Sequence, residues 1–178
     1  MVGLRKGHCY RIIKRAYTRQ SKFKPKAYVK GVPAIKIQRF DLGDMQKNFG
    51  WKVHLITKGA LQLRHNAVES ARQVVSRILA LRLGNNYHLK VKPYPHHVLR
   101  ENRMLTGAGA DRMSTGMQLS FGRPVGSAAQ VKKGQQIFTV YVDKEGVEHA
   151  KEALSKAHHR MPGKYVIEIV KENKMSGK

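Results

Sequence analysis

The side chains that could do chemistry are histidines, serines and one glycine-rich run, and each set falls short on spacing. Gly107-Ala108-Gly109-Ala110-Asp111-Arg112 opens like a dinucleotide-binding loop, which uses three glycines to bring a pyrophosphate close to a helix N-terminus. Arg112 stands where the third glycine is required, and the run is not set between a strand and a helix. Nine histidines invite a metal. However, His96-His97 and His158-His159 are adjacent pairs, and neighbours on a strand or helix point apart rather than at one ion. Ser114 and Ser120 have no visible base, and only 5 carboxylates lie in the first 142 residues. A hydrolase or transferase needs an acid–base pair in a dry pocket. Cys9 is the only cysteine, which excludes an internal disulfide or a cysteine zinc cluster and is compatible with a reducing compartment. No catalytic residue, no metal and no cofactor are expected.

What remains is positive charge. The chain has 178 residues and a formal charge of +24, from 35 Lys and Arg against 11 Asp and Glu. Residues 1–142 carry 27 of the basic and 5 of the acidic residues, a net of +22. Residues 143–178 carry 8 and 6, a net of +2. A domain this basic repels itself until a polyanion neutralises it, and nucleic acid is the leading candidate. An anionic membrane surface is the second, but neither helix stripe is broad and aromatic enough to insert. The most apolar stretch, Val74 to Leu83, is broken by Arg77 and Arg82. No apolar run follows the basic N-terminus, so neither a signal peptide nor a membrane partner is expected. RNA is favoured over DNA because no helix–turn–helix, zinc finger or basic zipper is present to enter a major groove.

The elements that must position this charge follow from periodicity. Residues 1–33 form a basic arm in which Tyr10, Tyr17, Phe23 and Tyr28 are interleaved with Arg5, Lys6, Arg11, Lys14, Arg15, Arg19, Lys22, Lys24 and Lys26. An extended arm with at most short strands is expected, its aromatics stacking on bases or on the core while the charges meet phosphates. After the turn signal Gly31-Val32-Pro33, Ala34–Phe40 alternates as a strand, and Trp51–Thr57 as another. Asn66 with Glu69 resembles a capping box, opening a helix to about Leu83 with Ala67, Ala71, Val74, Ile78 and Leu81 as its stripe and Gly84 as its stop. In Tyr87–Lys92, Tyr87, Leu89 and Val91 point one way, and His88, Lys90 and Lys92 the other. A short strand is expected over 97–102. Five glycines over 103–126, with Arg103, Arg112 and Arg123, predict a long irregular loop, mobile over 103–118. Ser127–Val131 and Gln135–Val142 are read as a hairpin about Lys132-Lys133-Gly134. A second helix over Lys144–His159, with Val147, Ala150, Leu154 and Ala157 as its stripe, a strand over Tyr165–Val170 and a polar tail over 171–178 complete the chain. The fold class is α+β. One domain over 1–178 is expected, with a mixed, largely antiparallel sheet and two helices packed on one side.

Several blocks resemble one family. Ala108-Gly109-Ala110-Asp111-Arg112, Thr115-Gly116-Met117 and Phe121-Gly122-Arg123-Pro124 with Gly126 form the central block. Gly31-Val32-Pro33 with Phe40-Asp41-Leu42-Gly43 is a second and Cys9-Tyr10-Arg11 a third. Their order and spacing are similar to the archaeal-type ten-e family of large-subunit ribosomal proteins, the counterpart of bacterial large-subunit protein sixteen, over nearly the whole chain. The span Asp44–Leu63 matches least clearly, and nothing is carried over there. The resemblance implies a hammerhead-like α+β fold, a cytoplasmic ribosomal location, and partners that are large-subunit rRNA, tRNA and neighbouring ribosomal proteins, without homo-oligomers. It implies rRNA binding near the A site; the candidate contacts are the arm cations named above, the Lys90 and Lys92 row of the Tyr87–Lys92 strand, whose spacing suits a line of phosphates, and Arg123. The central loop, with Arg103, Gly107, Gly109, Asp111, Arg112 and Gly116, would point toward the peptidyl transferase centre near tRNA. No catalysis by the protein is implied. The rival readings are an RNA-modifying enzyme, which would need a cofactor pocket or an acid–base pair, and a free-standing single-stranded RNA chaperone.

Overall fold

The structure, a computed structural model, describes residues 4–102, 107–109 and 122–171. Among the described residues it is α+β, with two helices and two sheets in which every pair of strands is antiparallel. The strands in chain order are β1 (Asp41–Gly43), β2 (Trp51–Thr57), β3 (Leu61–Arg64), β4 (His88–Val91), β5 (His97–Glu101), β6 (Arg123–Val131), β7 (Gln136–Val142) and β8 (Tyr165–Lys171). The helices are α1 (His65–Leu83), which continues directly from β3, and α2 (Val147–His158). The larger sheet runs β1-β4-β7-β2-β8 and the smaller β3-β6-β5. One hydrophobic core joins them. Val53 and Leu55 of β2, Leu89 of β4 and Phe138 and Val140 of β7 face Val75 and Leu79 of α1 and Ala150, Leu154 and Ala157 of α2 within it. Small residues on α2 let the two helices pack closely on one another.

Alternation located most strands. β2 has the expected bounds, and in β4 Leu89 and Val91 are buried while Lys90 is exposed. The α2 stripe is as expected, with Ala153 added. The expected single sheet is divided in two, and the hairpin is the reason. β6 and β7 are consecutive but never pair: β6 joins β3 and β5, while β7 joins β2 and β4. The turn between them is captured by β2 instead. The Thr57 hydroxyl donates to the Lys132 carbonyl at 2.9 Å, and the Gly134 amide donates to the Thr57 carbonyl at 2.9 Å. β6 also starts at Arg123, four residues before the expected Ser127, which shortens the irregular stretch.

Ala34–Phe40 is not a strand. Its alternation is real, since Ile37 is buried and Ile35 half-buried, but it packs as an irregular segment and ladder pairing begins only at Asp41. The glycine that ends β1 is required by geometry. Gly43 has φ +90°, and a Cβ there would lie 2.0 Å from the Tyr87 carbonyl oxygen. In α1 the capping box does not form: the cap residue is Arg64, with no side-chain cap bond. The Glu69 carboxylate is held instead by Arg72, through Nε at 2.8 Å and Nη2 at 2.5 Å, and by Gln73 at 3.1 Å. That bidentate hydrogen bonding from Arg72 lowers the Glu69 pKa despite its burial. The buried face of α1 is Val68, Ala71, Val75 and Leu79, rotated from the expected stripe, and Leu81 is exposed. Gly84 does close the helix, its amide donating to the Ala80 carbonyl at 3.1 Å. Lys171 belongs to β8, so the expected polar tail begins after it, and residues 172–178 lie outside the described residues.

Candidate nucleic-acid interface

The arm carries the largest group of candidate residues. Over 4–33 it has two short 3-10 turns, Gly7–Tyr10 and Lys24–Lys26, and no strand. It is nonetheless anchored, chiefly to the small sheet. Gln62 and Arg64 of β3 donate to the carbonyls of Tyr10 at 2.9 Å and Arg5 at 2.8 Å. Gln130 of β6 donates to the Lys14 carbonyl at 2.8 Å. The Tyr17 amide donates to Nδ1 of His97 at 2.7 Å, and the Val98 amide donates back to the Tyr17 carbonyl at 3.1 Å. These bonds engage arm backbone rather than its charged side chains. Arg5, Lys6, Arg11, Lys14, Arg15, Arg19, Lys22, Lys24 and Lys26 are all exposed. Several of the arm aromatics serve as platforms for cations: Arg100 lies over Tyr17 at 4.1 Å, Arg19 over Tyr28 at 5.3 Å, Arg64 over Tyr10 at 5.7 Å and Lys26 over Phe23 at 5.9 Å.

The second basic surface is the outer face of the large sheet, on the side away from the helices. Register aligns Asp41, Lys90, Thr139, His54 and Glu168 in one row, and His88, Tyr141 and Lys52 in the next. Lys90 and Lys92 are exposed. Lys90 lies 3.8 Å from Asp41, whose carboxylate also meets Nε2 of His88 at 3.1 Å. Tyr141 forms the centre of the second row: the His88 ring stacks on it at 5.0 Å and the Lys52 ammonium lies 5.4 Å from its centroid. His54 is buried against the Thr139 hydroxyl at 3.0 Å. Burial, then the positive charge of Lys92, lowers its pKa, so this imidazole is neutral near pH 7.

Arg123 heads β6 and stands opposite Glu101 in the ladder. Arg5 of the arm reaches the Glu101 carboxylate at 2.8 Å, so two candidate residues far apart in sequence lie near one position of β5. Of the central-loop candidates, Gly107 and Gly109 are exposed and both have positive φ, at 131° and 74°. Arg103, Asp111, Arg112 and Gly116 lie outside the described residues, as does most of the 103–118 segment. Sequence reasoning missed Lys52, Arg64, Arg100 and Tyr141. Their place depends on cross-strand register and on the path of the arm, which periodicity along one strand does not carry. Among the described residues no group of three or more His, Cys, Asp or Glu could hold a metal, and no helix is long and apolar enough to cross a membrane.

A small α+β body that fixes a cationic arm by its backbone, and carries lysine, histidine and tyrosine together on the sheet face away from the helices, offers a polyanion two cationic surfaces. The chain belongs to the ribosomal protein L16p/L10e family, whose profile matches residues 12–168. It is 46% identical over 172 residues to large ribosomal subunit protein uL16 of Methanococcus aeolicus, covering 96% of each chain. The protein of that name from Methanospirillum hungatei is 45% identical over 165 residues, covering 91% of this chain and 94% of its own. That of Metallosphaera sedula is 44% identical over 177 residues, covering 96% and 98%.

Proposed function

We propose that this protein is a structural constituent of the large ribosomal subunit, working in translation on the cytoplasmic ribosome. It binds rRNA near the A site and helps position tRNA near the peptidyl transferase centre. The observation that carries the reading is the arm: 10 Lys and Arg and no carboxylate in residues 1–33, anchored through backbone with all ten cations exposed. Each cation that reaches a phosphate releases a condensed counterion, so about ten contacts give a log–log salt slope near −7. The protein itself contributes no bond-making chemistry. It screens phosphate repulsion so that RNA backbones lie close together, and it holds them in place. The body acts as one domain, its arm and outer sheet face engage rRNA and neighbouring ribosomal proteins, and its central segment with Arg112 engages tRNA.

The test is an Arg112→Ala variant in reconstituted large subunits. Assembly and sedimentation should match wild type, while tRNA accommodation slows several-fold. A variant that both assembles and accommodates tRNA at the wild-type rate removes the tRNA role and leaves the rRNA role standing.

A further inference from the structure

Beneath the arm, where the ends of β5 and β6 meet the start of α1, lies a cleft of about 1050 Å³. Three groups of residues line it, each suited to a different part of one ligand. The first is cationic: Arg5, Lys30, Arg64 and Arg123. Glu101 also lines the cleft, but it is held by Arg5 at 2.8 Å, so the surplus is positive. The second is aromatic: Tyr10, Tyr17 and Tyr28. Their rings are held before any ligand arrives, by arginines over Tyr10, Tyr17 and Tyr28 and by the Tyr17 hydroxyl donating to the Tyr28 carbonyl.

The third group is the start of α1. A helix of 19 residues leaves its first backbone amides without intrahelical acceptors and carries partial positive charge at that end. Here the cap residue supplies no side-chain bond. The next two residues, His65 and Asn66, line the cleft. His65 is 8% exposed, and its Nδ1 and the Asn66 Oδ1 are buried with no hydrogen-bond partner among the described residues. Buried polar atoms in that condition are uncommon and point to a ligand that would complete them.

We propose that this cleft receives one unstacked nucleotide of a single-stranded RNA segment. Its phosphate lies at the α1 N-terminus among Arg5, Arg64 and Arg123, and its base against the tyrosine wall. This rests on the RNA-binding reading above and names the feature of RNA that the protein recognises. A helix N-terminus flanked by arginines suits a phosphate. Aromatic rings suit a base face, and only an unpaired strand can turn a base out to meet them. The free polar atoms of His65 and Asn66 give the base or ribose edge something to bond. The volume lies at the upper end of small-ligand sites, enough to take one nucleotide and too small to enclose a duplex.

The probe is a fluorescent octauridylate, with a duplex of equal length as its counterpart, titrated against the full chain at fixed moderate salt. Asn66→Asp places a carboxylate where the phosphate belongs, and at a helix N-terminus it should not lower the melting temperature. Tyr28→Leu removes a stacking ring and keeps apolar bulk. Gln46→Glu makes the same charge change on an exposed loop outside the cleft. Asn66→Asp and Tyr28→Leu should each weaken octauridylate binding roughly tenfold, and Gln46→Glu less than about twofold. On the duplex all three should match wild type within about twofold. If Asn66→Asp costs no more than Gln46→Glu and Tyr28→Leu costs nothing, the cleft is not a nucleotide site, while RNA binding by the rest of the surface stands. If the wild-type chain ignores both RNAs in low salt, RNA binding itself fails and this site fails with it.

Discussion

The arm and the C-terminal segment are held by opposite physics. Residues 136–171, comprising β7, α2 and β8, supply Ile137, Phe138, Val140, Val142, Ala150, Ala153, Leu154, Ala157 and Met161 to the buried interior. Residues 4–33 supply Val29 alone. The arm leaves Leu4, Ile12 and Phe23 at least 70% exposed and is anchored chiefly by hydrogen bonds from the small sheet to its backbone. Net bonds of this kind are worth about 1 kcal/mol each, while burying one large apolar side chain is worth roughly twice that or more. The C-terminal segment is therefore held by the core it shares with β2, β4 and α1. The arm is only placed, and its energy is completed by whatever neutralises its charge. Stability and binding should separate along the chain, so that a substitution in one region changes one property and leaves the other nearly untouched.

The largest expected effect is on the folded body. Phe138 is fully buried at the centre of the large sheet, opposite Leu55 and Val91. Phe138→Ala should lower unfolding free energy by about 3–5 kcal/mol, through lost transfer energy and the cavity left behind. At a temperature where the variant is still folded, its RNA affinity should stay within about twofold of wild type, since the phosphate contacts are untouched. Denaturant unfolding and RNA titration on the same preparation check both halves. A variant that keeps its stability, or one that loses RNA affinity while folded, would erase the distinction.

The reverse experiment takes charge from the arm. Replacing Lys22, Lys24 and Lys26 with Gln should leave the melting temperature nearly unchanged, because all three are exposed and exposed polar substitutions move stability little. If all three meet phosphates, the log–log salt slope should become shallower by about 2 and affinity near 0.1 M salt should fall roughly a hundredfold. An unchanged slope would mean that these lysines serve solubility and that binding is carried elsewhere, with the Lys90 and Lys52 face the next place to look.

The same division explains what the sequence made legible. Period-two alternation marks a strand because one face is buried, so β2, β4 and β7 were readable within a residue or two. The stripe of α2 was readable because it packs on one layer. The errors lie where a distant residue decides. Thr57 captures the turn at Lys132–Gly134 and sends β6 and β7 to different sheets. Glu69 turns to Arg72 rather than back to the helix start. Ala34–Phe40 alternates like a strand but is offered no partner until Asp41. The site shows the same limit. Charge density made the arm cations candidates, and all of them are exposed, because no long-range contact is needed to keep a lysine in water. Lys52, Tyr141 and His88 come together only through register across three strands, and Arg5 reaches Glu101 only through the path of the arm over β3. The resemblance of the central block fixed the family, yet most of that block lies outside the described residues, so it contributed identity rather than geometry.

The finest test of the contrast is pH, and it sharpens where arm and body join. His54, His65 and His97 all have pKa values lowered in the fold, each first by burial. The next cause is Lys92 for His54, Lys36 for His65 and His96 for His97. In the unfolded chain they return to about 6.5. Below that value the unfolded state binds protons that the folded state refuses. Stability is thus complete above about pH 6.5 and falls as pH drops through it, until each folded pKa is reached and that contribution levels off. The slope cannot exceed about 1.4 kcal/mol per pH unit per histidine. His97 has a further role, since its Nδ1 accepts the Tyr17 amide at 2.7 Å and protonation there replaces an acceptor with a donor. Between pH 7 and pH 5 the Tyr17 amide should lose hydrogen-exchange protection before amides of β7 do, because the arm lets go at this point while the core remains folded. His97→Gln keeps a side-chain acceptor that does not titrate, and it should remove the early loss while retaining the global decline set by His54 and His65. Loss of protection at Tyr17 and in β7 at the same pH would mean that arm and body unfold as one unit, and the proposed independence of the two regions would be wrong.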